Sequence, residues 1–479
     1  MVNKSRRKIP PFEKWPDWVI FLIFFSYSLI IGLLIQFILL PYIFPAWHAG
    51  EGLLVGLDSR GFHRQAVELA QKISTEGWQA WEITQQPVAG IAGIFYALIA
   101  PHPWVMLPLN ALLHALAAWM LFRTLLFLLD KRFHAFLAAL PLFIFPSALS
   151  WVTQMHNDNY AVAGGILMLY AWVCFIREES WKFPRIILGG LLALVGGICL
   201  TWVVRDYVVS MYTGVGALLL AFSLVIFLAR LIRHIWKWPR ALAATGVVLL
   251  AFFLTASVQI FNLSASEVVI SQSYTERQAE ASSTSTTDDP TAELQPGDKG
   301  FRPSDLWKDT SWLPAWIDGQ MEQMSITRYK AIRSTWTATR GGSNIDTDVY
   351  FRDALDIVQY IPRAMEIGFL SPFPNDWLEQ GSKAPNTMMR RVSGLEMVYI
   401  YLSYLGLLAA FWTWRKRPEF WTFIIFCIGM IFIYTLGTPN VGTLYRLRYP
   451  VLMAVVGIGT GGWILIVQWL SSKKKPVIN

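Results

Sequence analysis

The sequence predicts an all-α polytopic membrane protein with about ten transmembrane helices, further juxtamembrane helices and a small helical external domain. Hydrophobic residues make up 54% of the chain. Many of them lie in apolar runs long enough to cross a hydrocarbon core of ~30 Å. The net charge of +8 is carried largely by short loops between these runs. Basic loops of this kind indicate membrane topology rather than binding to nucleic acid.

Ten apolar runs have the length of a span. They lie roughly at 18–45, 103–129, 134–152, 160–176, 186–204, 207–229, 241–263, 393–414, 420–437 and 449–470. An eleventh run, Val88–Ala100, is short and lies between Pro87 and Pro101. If this run does not span, all the basic loops fall on one side of the membrane, as the positive-inside rule requires. We therefore predict a re-entrant or juxtamembrane helix there, with both termini cytoplasmic. The basic loops are Lys4–Lys8, Lys131–Arg132, Arg177–Arg185, Arg230–Arg240, Arg415–Arg417 and Lys473–Lys475.

The spans divide the chain into three parts. Residues 1–263 form an N-terminal membrane module, with juxtamembrane helices in its first loop at 46–102. Residues 264–392 form an external segment with 13 Lys and Arg against 18 Asp and Glu, a net charge of −5; the rest has 27 against 14, or +13. A Ser- and Thr-rich stretch predicts disorder over 281–300. Residues 393–479 form a C-terminal membrane module.

The first external loop ends in Asp58, Arg60 and His63, which lead into an amphipathic helix. The apolar residues recur at helical spacing, so we expect this helix to lie along the membrane surface. They are Phe62, Ala66, Leu69, Ala70 and Ile73. Asp58 is interpreted either as the N-cap of that helix or as a general base at the lipid–water boundary. The two roles are compatible.

Two further external loops carry charges at span ends. His156 and Asp158 lie in a short loop, which is either a solvated turn or a site that orients an acceptor or binds a cation. Arg205, Asp206 and Tyr207 interrupt an apolar stretch. Arg205 either pairs with Asp206 or binds phosphate, because a guanidinium matches phosphate oxygens.

The late part of the chain adds four candidate substrate-binding residues. Arg446 and Arg448 lie on the external side, which the positive-inside rule disfavours, so they either reach lipid headgroups or bind an anionic substrate. Arg340 lies in a Gly-containing turn of the external segment. Glu396 lies just inside a span, where an ionisable group is a site hypothesis unless it only pairs with Arg390 or Arg391.

The sequence also excludes several classes of protein. It has neither a Walker A loop nor a Gly-rich dinucleotide-binding fingerprint, which argues against nucleotide-driven transport. The three cysteines, Cys174, Cys199 and Cys427, all lie inside apolar runs, so they predict neither a disulfide framework nor a thiolate metal site.

Together these motifs resemble the GT-C superfamily of membrane glycosyltransferases. The likeness is to its bacterial branch similar to dolichyl-phosphate-mannose–protein mannosyltransferases and aminoarabinose transferases. Asp58 matches the first-loop acid and Asp158 the second-loop acid. The run 205–207 resembles an Arg-Pro-Tyr element with Asp in place of Pro, and 442–450 resembles an arginine-bearing late loop.

The resemblance implies an inverting glycosyltransferase of the bacterial cytoplasmic membrane with its active site on the periplasmic side. The donor would be a polyprenyl-linked sugar, and the acceptor a saccharide, lipid or protein used in surface polysaccharide or glycoconjugate assembly. Asp58 would be the base, and Asp158 with His156 would complete an acceptor or metal site. Arg205, Arg446 and Arg448 would hold the donor phosphate. The resemblance implies no definite cofactor; some relatives use a divalent metal and others do not, and Asp58, Asp158 and His156 would be the ligands of such a metal.

Two other functions are compatible with the same features. One is a polymerase of lipid-linked polysaccharide repeats, in which Arg340 would matter more. The other is a transporter or flippase of lipid-linked saccharide, which would require polar groups at mid-membrane and pseudo-symmetric halves. The sequence shows neither of these last two features, so transport ranks third.

Overall fold

The computed structural model describes residues 11–55, 58–82, 86–258, 306–333, 343–381 and 384–473. Of these residues 82% are helical and none belongs to a strand, which establishes the all-α class. The predicted disordered stretch 281–300 and Arg340 lie outside the described residues. The helices of the N-terminal part are α1 (Asp17–Leu34, continuing as a π-helix over Ile35–Ile43), α2 (Ser59–Glu76), α3 (Pro87–Leu98), α4 (Leu107–Leu126), α5 (Arg132–Ile144), α6 (Pro146–Val152), α7 (Asp158–Ile176), α8 (Pro184–Ile232) and α9 (Trp238–Val258). Those of the later part are α10 (Ala315–Arg333), α11 (Ala354–Leu370), α12 (Ala384–Trp414), α13 (Pro418–Gly437) and α14 (Val441–Lys473).

The described residues contain eight helices long and apolar enough to cross a membrane. The number is nine if α5 and α6, which are bent by 63° at their junction, form one broken span. The chain is therefore a multi-pass membrane protein. Helix α3 has 12 residues, or ~18 Å of helix, which is too short to cross the hydrocarbon core.

Helix α8 reverses direction at the predicted external turn. Its 49 residues would extend ~74 Å if straight, more than twice the hydrocarbon thickness. Arg205 has non-helical backbone angles, with φ −154° and ψ 70°. The hydroxyls of Thr201 and Tyr212 lie 3.4 Å apart, whereas eleven residues of straight helix would separate them by ~16 Å. The segment is therefore a helical hairpin whose tip contains Arg205.

One end of the bundle gathers the described basic loops, and we call it the basic end. Arg123 and Arg132 both pair with Asp17, which joins the start of α1 to the end of α4 and the start of α5. Arg417 donates to carbonyl groups at the end of α4. Arg230 donates to the last carbonyl of α7 over 2.9 Å. The predicted common side of these loops is thus observed as a common end of the bundle.

The C-terminal module is held by close helix packing between α12 and α14. A Cβ atom placed at Gly462 would lie 1.9 Å from the carbonyl oxygen of Gly406, and one placed at Gly459 would lie 2.2 Å from that of Ser403. Glycine at these positions lets the two backbones approach to contact, as small residues do between membrane helices.

The described part of the segment predicted to be external packs on the opposite end, which we call the polar end. Backbone hydrogen bonds of 2.8–2.9 Å join Ile345 to Pro439 and Ser343 to Val441. Arg328 of α10 donates to the carbonyl of Leu436 at the end of α13 over 3.2 Å. Helices α10 and α11 are therefore attached to the bundle beside the start of α14.

Candidate functional site

A buried group of charged residues lies at the polar end, and we call it the Asp158 cluster (His156, Asp158, Arg205 and Arg446). Arg205 donates to Oδ1 of Asp158. The other oxygen, Oδ2, lies 2.6 Å from His156 Nδ1 and 3.7 Å from Arg446 Nη1. The His156 contact is an ion-pair distance without the alignment of a hydrogen bond. The other nitrogen of His156 lies 3.2 Å from Arg446 Nη1.

Three separate segments supply this cluster. Asp158 is the first residue of α7, where a negative charge is favourable against the helix dipole. Arg205 is at the break of the α8 hairpin, and Arg446 is in the second turn of α14. Three of the loops that were predicted to share one side of the membrane therefore converge at one end of the bundle.

The cluster carries one more positive than negative charge when His156 is neutral. Buried charges are costly unless they are paired, and Asp158 is 1% exposed with two guanidinium partners. Arg446 is the more exposed of these partners, at 26%, and lies at the longer distance. Its donors are therefore the most accessible to an incoming anion such as phosphate.

A second group, the Glu51 cluster (Glu51, His63, Tyr96 and His102), lies beside the first. Oε2 of Glu51 is 3.3 Å from His63 Nε2 and 3.4 Å from His102 Nδ1. The other nitrogen of His63 is 2.9 Å from the Tyr96 hydroxyl. Burial lowers the pKa of His63, with a smaller contribution from His102, while Glu51 raises it; the net shift is downward.

The two clusters are joined at two points. The ring of Phe62 makes an edge contact with the ring of His156, with centroids 6.3 Å apart. The Tyr96 hydroxyl donates to Sδ of Met155 over 3.1 Å. Phe62 directly precedes His63 of the Glu51 cluster, and Met155 directly precedes His156 of the Asp158 cluster. Each of the two contacts therefore connects the clusters through one pair of neighbouring residues, whose Cα atoms are ~3.8 Å apart.

The first-loop residues are placed as follows. The predicted apolar face of α2 is confirmed, because Phe62, Ala66, Leu69, Ala70 and Ile73 are all buried. It packs at least partly on protein, since a Cβ at Gly93 of α3 would lie 2.7 Å from Leu69.

Asp58 occupies the N-cap position of α2, as one interpretation predicted, but its side chain does not make the expected capping hydrogen bond. The side chains of Asp58 and Arg60 are exposed and contact no partner among the described residues. Tyr207 is 49% exposed beside Arg205. The predicted roles of these three residues stay predictions.

Arg448 has a structural environment that the sequence did not predict. It is fully buried, and its terminal nitrogens donate to the carbonyl groups of Ile367, Gly368 and Ser371 at the end of α11. A guanidinium occupied in this way stabilises a helix C-terminus. The geometry does not support phosphate binding by Arg448.

Glu396 is also enclosed by protein. It accepts hydrogen bonds from the backbone N–H of Ser147 over 2.8 Å and from the Tyr445 hydroxyl over 2.5 Å. Arg390, one of the two partners considered from the sequence, lies 3.0 Å from Glu379 instead. Glu396 therefore joins α12 to α6 and α14. Its partner on α14, Tyr445, is the residue directly before Arg446.

The residues considered for a metal do not belong to a larger group of metal-ligating side chains in the described part of the chain. Among the described residues, no group of three or more His, Cys, Asp or Glu side chains is arranged to hold a metal ion. Asp158 and His156 are instead engaged with Arg205 and Arg446.

Sequence reasoning missed Glu51, Tyr96 and His102. The available signal was the run Gly50-Glu51-Gly52, because glycines on both sides favour backbone angles in the left-handed region. Tyr96 is on the short helix α3, whose only recognisable property in the sequence was its apolar character.

No family model and no curated protein matches this chain. The function is therefore argued from the site itself.

Proposed function

We propose that this protein is a membrane glycosyltransferase of the GT-C type. It would transfer a sugar from a polyprenyl-phosphate or polyprenyl-diphosphate donor to a saccharide, lipid or protein acceptor. The observation that carries the proposal is the Asp158 cluster, whose buried charged side chains contact one another and have an excess of positive charge at the polar end. In the full proposal the chain has about ten spans, lies in the bacterial cytoplasmic membrane and has its polar end on the periplasmic side.

The two arginines of the cluster would hold the donor phosphate. Arg446 is partly exposed and loosely bound, so phosphate can replace its 3.7 Å contact with Asp158. Asp158 keeps Arg205 in place and so pre-orients the guanidinium, which reduces the reorganisation needed at reaction. His156 contacts both Asp158 and Arg446. It would move together with the Arg446 side chain when phosphate binds.

This arrangement suits a donor whose leaving group is a phosphate. The acceptor oxygen forms a bond to the anomeric carbon, while the bond from that carbon to the phosphate oxygen breaks. The electron pair leaves with the phosphate, and cationic donors stabilise the charge that develops there. The reaction also requires a general base that takes the proton of the acceptor hydroxyl, and Asp58 is the carboxylate that the sequence predicts for this role.

The test compares lipid extracts of cells that produce the wild type, Arg446→Gln or Arg240→Gln at equal levels. Arg240 is an exposed arginine near the basic end, so its substitution removes the same charge far from the site. We expect a polyprenyl-linked sugar to accumulate, and a glycosylated product to disappear, only with Arg446→Gln. Unchanged pools in the Arg446 variant would refute the proposed reaction.

A polymerase of lipid-linked repeats is the second candidate, favoured by one observation. The segment 264–392 pairs with the first residue of α14, five residues before Arg446, through the hydrogen bond that Val441 donates to the carbonyl of Ser343. Backbone of this segment therefore lies next to the site, and in the proposal a growing saccharide would pass there. Polymerase activity predicts that the Arg446 variant accumulates single lipid-linked repeats, whereas a flippase would leave the donor on the inner face.

A further inference from the structure

Glu51 lies in a strained turn. Gly50, Glu51 and Gly52 have φ values of +98°, +52° and +76°. A non-glycine residue in the left-handed region costs on the order of 1–3 kcal/mol and persists only where its surroundings impose it. A Cβ at Gly52 would lie 2.7 Å from the Cβ of Gln36, so this position requires glycine for packing as well as for backbone conformation.

Buried polar groups impose this turn. Gln154 accepts a hydrogen bond from the N–H of Leu54 over 3.0 Å and donates to the carbonyl of Gly52 over 3.1 Å. His48 accepts from the N–H of Gly52 over 2.9 Å. Gln154 is two residues before His156, so the segment that supplies the Asp158 cluster also fixes the position of Glu51.

The hydrogen-bond chain around His63 defines where a proton can be held. The Tyr96 hydroxyl lies 2.9 Å from Nδ1 of His63 and 3.1 Å from Sδ of Met155, so it holds one side of the imidazole ring. Either nitrogen of a neutral imidazole can carry its single hydrogen. The other nitrogen, Nε2, lies 3.3 Å from Oε2 of Glu51, so these two atoms can share one proton.

We propose that Glu51 is the catalytic residue that accepts the acceptor proton, with His63 as the positioning residue that shares it. This inference rests on the proposed function. As the acceptor oxygen bonds to the anomeric carbon and the phosphate departs with its electron pair, the O–H proton passes to Oε2 of Glu51. It then lies between Glu51 and Nε2 of His63.

The surroundings favour Glu51 over Asp58 for this step. The Glu51 side chain is 51% exposed, so an acceptor hydroxyl can reach it, yet its position is set by two imidazoles. Asp58 is exposed, and no described residue orients its carboxylate. A general base must be held in position for the proton it abstracts, and the contacts with His63 and His102 hold the Glu51 carboxylate in this way.

The experiment measures consumption of the endogenous polyprenyl-linked sugar in membrane vesicles from cells that produce the full chain. Glu51→Gln is expected to lower the rate ~100-fold or more, the usual effect of losing a general base, while Glu51→Asp recovers part of it. His63→Gln, which can still donate to Glu51, is expected to retain more activity than His63→Leu. Glu68→Gln removes an exposed carboxylate from the same first-loop region and should match the wild type.

The outcomes separate the inference from the function on which it rests. A Glu51→Gln protein that elutes like the wild type and keeps its rate within threefold overturns the role of Glu51. So does a greater loss in Asp58→Asn than in Glu51→Gln. If Glu51→Gln does not fold, the same decision is made from Glu51→Asp and the two His63 variants. Unchanged consumption in Arg446→Gln refutes the transferase itself, whatever the Glu51 variants do.

Discussion

Replacing Arg448 by Met should destabilise the protein, whereas replacing Arg446 by Met should impair donor binding with little effect on stability. The two arginines are two positions apart on α14, with Leu447 between them, but their surroundings differ. Arg448 is fully buried and donates to three carbonyl groups at the end of α11. Arg446 is 26% exposed and faces the Asp158 cluster.

The magnitude follows from the bonds that Arg448 makes. A hydrogen bond from a charged donor contributes ~1.5–3 kcal/mol, and a buried acceptor left without a partner adds its desolvation cost. Water can reach part of a helix end after relaxation, so we expect a loss of roughly 3–5 kcal/mol, the range for breaking a buried charge partnership. Met fills a similar volume, which limits the contribution from a cavity.

The assay is thermal unfolding of the detergent-solubilised protein, followed by the fraction that remains monodisperse after heating. Arg448→Met should unfold at a clearly lower temperature than the wild type, and Arg446→Met should unfold near the wild-type temperature. An Arg448→Met protein with wild-type stability that fails to consume donor would refute this reasoning. It would restore the substrate-binding role that the sequence predicted for Arg448.

Two further predictions concern packing and pH. Gly462→Ala should force α12 and α14 apart by about 1.5 Å, because its Cβ would lie 1.9 Å from a carbonyl oxygen and ordinary contact begins near 3.4 Å. The cost should be roughly 1–3 kcal/mol or more in thermal unfolding, while Gly246→Ala, with no atom within 4 Å, should be neutral. Burial raises the pKa of Asp346, but hydrogen bonds from Arg363 and Tyr360 outweigh it and hold that pKa below its ordinary value. A carboxyl group whose pKa is depressed in the folded state stabilises the fold at pH values above its unfolded pKa of about 3.9. This stabilisation is lost as the pH falls through the folded pKa. Hydrogen exchange of residues 343–350, corrected for intrinsic rates, should therefore increase below about pH 4 in the wild type and lose this dependence in Asp346→Asn. The effect should stay below ~1 kcal/mol because Arg363 is 39% exposed.

Much of the architecture could be predicted from the sequence because it depends on local properties. Hydrophobic length identifies spans, since an apolar run either covers the hydrocarbon core or does not. The turn at Arg205 was recognisable as a charge within an apolar stretch, and the common end of the basic loops followed from charge alone. These properties also brought His156, Asp158, Arg205 and Arg446 to one end of the bundle.

The identity of the site residues depended on tertiary structure. Sequence could not separate Arg446 from Arg448, because only the position of α11 decides which guanidinium is buried against carbonyl groups. It nominated Asp58 and did not identify Glu51, because the turn that holds Glu51 is fixed by Gln154, a residue 103 positions away. Hydrophobicity and charge act at each residue separately, whereas burial and hydrogen-bond partners depend on which helix ends meet.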